Sequence, residues 1–376
     1  MTERQEYALM LTGGGARAAY QVGVLKAITN FLPRNQSIPF PIICGTSAGA
    51  INATTLACFA SCYHLGVRKL DWVWKNLRTS DIYESGFQSV FGYLLKNYFQ
   101  GSKAEDMQTR ATSLLNNQPL RQLLRKTLDF SRIDNNIDRQ HLRALCITAS
   151  SYTSHDSISF FQSNKNVEGW QRSKRQGKPA QMNVEHLMAS SAIPLVFPTV
   201  KLGNDYFGDG SVHQLSPLSA PIHLGARKIL VIGVEQPEIP YTQAINDHYP
   251  SASNIAGHLL DTIFADTLNA DLERAYRVNQ TLDLLTEKQK KETHLQKIEC
   301  LEINPSENFN QIAAKHYHHL PAGIRSLLRL VGLKPDIESS LPSYLLFDHH
   351  FCSEIIDVGY RDAMNRLDEI RDFLNL

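Results

Sequence analysis

Residues 7–30 read YALMLTGGGARAAYQVGVLKAITN, and this stretch decides the fold class. Tyr7 to Thr12 is a short apolar run that ends at three consecutive glycines, Gly13, Gly14 and Gly15. From Ala16 to Asn30 the spacing turns helical, with Ala19, Val22, Val24, Leu25 and Ile28 on one stripe. The pattern then recurs: Ile38 to Cys44 is strand-like, Gly45 to Gly49 is a tight turn, and Ala48 to Cys62 is helix-like. Strand, loop, helix, strand, turn, helix predicts a parallel α/β core, because parallel neighbours need a crossover connection.

Working outward, further strands are expected at Arg143 to Ser150, Ser157 to Phe161, Val200 to Leu202 and Lys228 to Val234. Asn183 to Ser190 reads as helix, and Ala192 to Pro198 as an extended, proline-punctuated segment. Long helical patterns follow at Ile255 to Leu285 and Ser353 to Leu374, the first core-facing or, less simply, a dimer seam. Thr286 to Lys297 is charge-rich and reads as a solvated helix face. The expected organisation is a three-layer α/β/α catalytic domain over 5–235, its sheet mostly parallel, with a helical extension over 236–376 packed on it.

Composition excludes several classes. The 376 residues are 43% hydrophobic and 20% charged, and 38 basic against 37 acidic side chains leave a net charge of +1. That balance does not suit nucleic-acid binding, which needs a basic excess. The six cysteines (Cys44, Cys58, Cys62, Cys146, Cys300, Cys352) show no zinc-ligand spacing and read as reduced thiols. No loop has EF-hand spacing, so neither a metal nor another cofactor is expected. MTERQEY at the start is polar, which argues against a signal peptide and makes a cytoplasmic location the default expectation. Asn35 to Val67 lacks Asp, Glu, Lys and Arg, but Pro39, Pro41, Gly45 and Gly49 interrupt it, so a buried strand–turn–helix fits better than a membrane span.

Gly45-Thr46-Ser47-Ala48-Gly49 fits GxSxG, a serine exposed on a sharp strand-to-helix turn whose flanking glycines relieve crowding. For Gly13 to Arg17 three functional readings compete with a plain turn. A phosphate-binding Walker loop fails because no GK[ST] follows, and a dinucleotide fingerprint lacks its acidic residue near Leu32 to Gln36. An oxyanion hole serving Ser47 remains, since both turns would meet at one carboxyl edge of the sheet. The serine needs a base, and His213, His223 and Asp209 are all candidates from the residues alone.

GGGARAAYQVGVL, GTSAGA, ASSAIPLVFP (Ala189 to Pro198) and Asp209-Gly210-Ser211, in this order, resemble the patatin-like phospholipase family over roughly residues 7–235. The resemblance implies a lipid acyl hydrolase with a Ser–Asp dyad and no histidine. Carried over, Ser47, between the elbow glycines Gly45 and Gly49, is the nucleophile, Asp209 is the base, and Gly13, Gly14, Gly15 and Arg17 form the oxyanion loop. Ser211 stands where the family pattern has Gly or Ala, a small departure that leaves the dyad intact. Arg17 alternatively pairs with a carboxylate elsewhere in the fold. An ordinary aspartate, with a pKa of about 3.9, is a weak base toward serine, so burial is expected to raise it.

The expected partner is a lipid substrate met by peripheral membrane contact, with no nucleic acid. Tyr83 to Phe99 holds six aromatics where even spreading would give about 1.5, so it is either a lid or lipid-docking helix or an ordinary packed one. Lys165 to Lys178, with five basic residues and Trp170, reads as a solvated loop. The rival functions are a His-assisted esterase or thioesterase and a non-catalytic lipid-binding protein of the same fold. Head group, chain length and oligomeric state are not encoded in any motif.

Overall fold

In the computed structural model, which describes residues 6–86, 92, 113–164, 167–237, 252–293, 295–330 and 340–376, Tyr7–Leu11 forms a fully buried strand, β1. It runs parallel to β2 (Ile42–Thr46) on one side and to β9 (Lys228–Ile232) on the other. β2 pairs parallel with β3 (Ala144–Ser151), and β9 with β10 (Glu299–Ile303). Beyond β3 the sheet turns mixed. β3 pairs antiparallel with β4 (Ser157–Ser163) and, farther along, with β8 (Asp205–Asp209). The hairpins β5 (Trp170–Arg172) with β6 (Arg175–Pro179) and β7 (Val200–Leu202) with β8 complete ten strands among the described residues.

The apolar runs reflect burial on both faces, as a helix-covered parallel sheet requires. Alternate residues serve opposite layers. Leu9, Leu11, Ile43, Leu145 and Leu230 join the larger core with α1 (Ala19–Ile28), α2 (Ala48–Cys58) and the helix His349–Asn365. Ala8, Met10, Ile42, Cys44, Ile229 and Val231 face the smaller core of Leu218, Leu224 and Leu268. All six cysteines are free thiols, four of them buried.

Several expectations shift. The second strand begins at Ile42 rather than Ile38, since Pro39 and Pro41 carry no N–H to pair; Pro41 O instead accepts from Arg143 and Ala144 (2.7 and 3.1 Å). The basic stretch expected to be a loop contains the β5–β6 hairpin, turned at Lys174 (φ 59°). A π-helical turn, Thr262–Asp266, interrupts the helix expected over Ile255 to Leu285. Of the aromatic segment, Tyr83 is buried and donates its hydroxyl to Leu345 O (2.7 Å), while the candidate lid at 87–91 and 93–99 lies outside the described residues.

The segment expected as a helical extension contributes a strand. β10 extends the sheet past β9 in register, Leu301 beside Leu230, so the sheet crosses the boundary expected at 235. The helix His349–Asn365 lies on α1 at backbone contact: a Cβ on Gly23 would sit 1.9 Å from Ile356 O, and one on Gly359 2.2 Å from Tyr20 O. Among the described residues no helix is long and apolar enough to cross a membrane.

Candidate active site

Ser47 follows β2 directly and caps α2 with φ 54° and ψ −128°, a left-handed-side conformation costly for a residue with a Cβ. The neighbouring glycines make it possible. A Cβ on Gly45 would come 2.5 Å from Gly49 O, and one on Gly49 would come 2.4 Å from both Leu11 O and Thr12 O. The first turn of α2 therefore rests on the end of β1, where the glycine loop begins. Ser190 fastens the elbow: its hydroxyl accepts the Ser47 N–H (2.9 Å) and donates to Thr148 O (2.6 Å).

The glycine loop turns through Gly15 (φ 55°), where a Cβ would meet Tyr344 O at 2.4 Å. At Gly13 a Cβ would strike Ser211 Oγ (2.6 Å) and the Phe264 ring (2.7 Å), and at Gly14 the side chain of Val234 (2.7 Å). Among the described residues no protein acceptor takes the Gly13 or Gly14 N–H, whereas the Arg17 N–H is bound to Gly14 O (3.1 Å). Gly15 and Ser47 line the same cavity.

Asp209 ends β8. Its N–H donates to Ala192 O (2.9 Å), and its position opposite Ala149 sets it across β3 from Ser47, whose neighbour Thr46 pairs with Thr148. The carboxylate is fully buried. Oδ1 accepts the Ser211 N–H (3.0 Å), and Oδ2 has no partner of normal hydrogen-bond geometry. Burial pushes the Asp209 pKa up to about 6, against the downward pull of the nearby Ser47 hydroxyl and of Ser211. The hydroxyl thus acts on the carboxylate without closing a well-formed bond.

The histidines stand apart. His213 follows Asp209 closely, but its ring faces His155 (6.3 Å between centroids) and lines a separate pocket with Lys174 and Arg175. His223 stacks on Trp170 (4.9 Å), with Nδ1 on Ser219 O (2.7 Å). No described contact joins either ring to Ser47.

The Arg17 side chain is turned into the C-terminal third. Its buried guanidinium donates to Ser343 Oγ (2.8 Å), Asp261 Oδ1 (2.9 Å), Tyr344 OH (2.8 Å) and Asn310 Oδ1 (2.9 Å), and lies 3.8 Å over the Tyr344 ring. The pairing alternative is the one the geometry takes, and every partner comes from the C-terminal third. Two further buried polar groups escaped sequence reasoning. Gln21 donates to Thr12 O (2.9 Å), and Asn52 bridges Ala18 O (3.1 Å), Gln21 Oε1 (2.9 Å) and the Trp74 indole N–H (2.8 Å). Polar residues on otherwise apolar helices were the signal available for both.

Beside Ser47 opens an apolar cavity, part of it open to solvent. Ile51 of α2, Leu70, Val73 and Trp74 of α3 (Tyr63–Asn76), Leu120 and Phe197 form much of its wall. Ser191, whose buried hydroxyl has no partner among the described residues, also lines it.

Among solved structures the chain is similar to VipD from Legionella pneumophila, at 13% identity and a TM-score of 0.36, over 97% of this chain and 67% of that one. It is also similar to ExoU of the Pseudomonas aeruginosa type III secretion system, solved in complex with SpcU, at 14% identity and a TM-score of 0.28, over 97% and 79% of the two chains. No curated protein matches it. The family model for patatin-like phospholipases matches residues 9–222, which is more than half of the chain and holds the glycine loop, the Ser47 elbow and Asp209 alike, and the chain belongs to that family.

Proposed function

We propose that the protein is a serine lipid acyl hydrolase in which Ser47 is the nucleophile and Asp209 the general base. One observation carries the reading: a buried carboxylate oxygen without a partner, Asp209 Oδ2, lies beside a serine held in a strained elbow at an apolar cavity. Strain at one serine and an unsatisfied buried charge both cost stability, and such costs gather where chemistry is done.

In this reading the acyl chain lies in the cavity and its ester carbonyl beside Ser47. Ser47 Oγ attacks the carbonyl carbon while its proton passes to Asp209 Oδ2, and the carbonyl oxygen becomes an oxyanion. The Gly13 and Gly14 N–H groups, without a protein acceptor among the described residues, are the donors for that charge, each worth about 3 kcal/mol in comparable holes. Collapse breaks the ester bond, and the alcohol leaves with the proton held by Asp209. Water then attacks the acyl-enzyme, Asp209 takes its proton, and the acid departs as Ser47 recovers its hydrogen. With a pKa of about 6, Asp209 is a better base than an ordinary aspartate and still ionised at neutral pH.

Hydrolysis of p-nitrophenyl esters of increasing chain length tests the reading. The parent is expected to turn over, with folded Ser47→Ala and Asp209→Asn variants lower by at least about a thousandfold. Each added methylene buried in the cavity contributes about 0.8 kcal/mol, so kcat/KM should climb roughly fourfold per carbon until the cavity is full. A Ser47→Ala protein as active as the parent would refute the nucleophile, and His213→Ala should leave the rate within about threefold. A rate insensitive to chain length would refute the cavity as acyl site.

Lipid is reached in this reading by peripheral contact. Trp72 on α3 is 60% exposed and Leu195 is 72% exposed, and both belong to segments that line the cavity. Trp72→Ser with Leu195→Ser should lower hydrolysis of phospholipid vesicles and spare soluble esters; equal loss on both substrates would reject the contact.

A further inference from the structure

Five of the fourteen histidines gather on one face of the C-terminal third, in two groups that are about thirty residues apart in sequence and meet in space. His316, His318 and His319 come from the end of the helix Phe309–Lys315 and the 3-10 turn Tyr317–His319, and His349 and His350 from the start of the helix His349–Asn365. Ring centroids lie 4.0 Å apart for His318 and His319, 4.4 Å for His319 and His350, and 3.7 Å for His349 and His350.

We propose that His319, Asp348 and His350 form a binding site for a divalent transition-metal cation of the zinc type. One donor atom from each lies within 4.8 Å of the other two. His350 Nδ1 and Asp348 Oδ1 are 3.2 Å apart, close to the roughly 3.4 Å between ligand atoms around tetrahedral zinc. Asp348 is already oriented, because Oδ1 caps the helix by accepting the His350 N–H (3.0 Å). His316 is not a ligand: its Nε2 is held by Glu354 (2.6 Å). Two imidazoles and one carboxylate suit zinc, cobalt or nickel and not magnesium or calcium, which prefer all-oxygen sites. Three protein ligands leave a fourth position for solvent.

The site would tie the turn Tyr317–His319 to the chain that has just passed the glycine loop, since Tyr344, whose carbonyl meets Gly15, precedes Asp348 by four residues. Ligand spacing along the sequence could not reveal it, because His319 and the Asp348–His350 pair are brought together only by the fold.

The test uses the full chain without a histidine tag. Calorimetry with Zn²⁺ should give one ion per chain at micromolar affinity or tighter, Co²⁺ should develop the intense visible bands of a tetrahedral site, and Mg²⁺ should do neither. His319→Ala and His350→Ala, both at solvent-accessible positions, should keep the parent's circular dichroism and each weaken Zn²⁺ binding at least tenfold, while His316→Ala should not. Absence of saturable Zn²⁺ binding in the parent, or equal binding by the His319→Ala and His350→Ala proteins, would overturn the site.

Discussion

Asp209 is fully buried, and the cost of desolvating its charge outweighs the help it receives from Ser47 and Ser211, which is why its pKa rises to about 6. Two consequences follow at this one residue. In the proposed role of base Asp209 must be ionised to act, so kcat/KM should fall tenfold per pH unit below about 6 and level off above it. The second concerns stability. The folded pKa exceeds the unfolded value of about 3.9, so between pH 4 and 6 the native state binds the extra proton, and stability falls as pH rises through that window. Above pH 6 the ionised carboxylate costs the fold about 3 kcal/mol. Asp209→Asn should therefore be inactive yet more stable than the parent at pH 8, with its advantage smaller by about 2 kcal/mol at pH 4.5. Urea unfolding at the two pH values measures it, and a constant difference between variant and parent would count against a buried, ionised Asp209.

At the scale of elements, the glycine loop is held from outside the family match. Arg17 opens the first helical turn after Gly15, and its side chain binds Asp261, Asn310, Ser343 and Tyr344, while the π-helical turn Thr262–Asp266 sets Phe264 against Gly13. In the proposed reaction these contacts would make Arg17 a positioning residue for the loop. Arg17→Ala leaves the Asp261 charge unpaired, but Asp261 keeps a third of its side chain in solvent, so the expected loss lies at the low end for such pairs, about 3 kcal/mol. Esterase kcat should fall at least tenfold for Arg17→Ala and in parallel for Asp261→Ala, with KM for a short ester little changed. A silent Asp261→Ala beside a folded, dead Arg17→Ala would mean instead that the guanidinium acts on the reacting carbonyl. The same elements explain what was legible in the sequence. β1, the glycine loop and the elbow stand out because a doubly covered strand must be continuously apolar and its turns need glycine at close backbone contacts. β10 was hidden because it is an edge strand: Glu299 and Glu302 interrupt Leu301 and Ile303, and no uniform apolar run results. Arg17 was legible as a site residue, yet its partners were not, since Asp261, Asn310 and Tyr344 converge on it only through the fold.

Over the whole molecule, the layer that holds Ser47 and Asp209 is packed against the C-terminal third and is expected to unfold with it. β10 covers the edge of β9, Ile355, Ile356 and Phe351 lie in the larger core with Leu25 of α1, and Gly23 and Gly359 let α1 and the helix His349–Asn365 meet at backbone distance. Tyr344 and Phe347 extend this contact to the site itself, one against Gly15 and the other in the cavity wall. Ending the chain after residue 235 would uncover the buried face of α1, free a strand edge and unpair Arg17 together. Such a fragment keeps Ser47, Asp209 and every motif of the family, so sequence alone recommends it as a minimal enzyme. The packing argues the reverse. The 1–235 fragment should lack a cooperative thermal transition, bind a hydrophobic dye and show no esterase activity, while the full chain unfolds in a single step reported alike by circular dichroism and tryptophan fluorescence. A fragment that melts cooperatively and still cleaves a short ester would show that the C-terminal third is dispensable, and would remove the bracing role of Arg17, Tyr344 and the π-helical turn along with it.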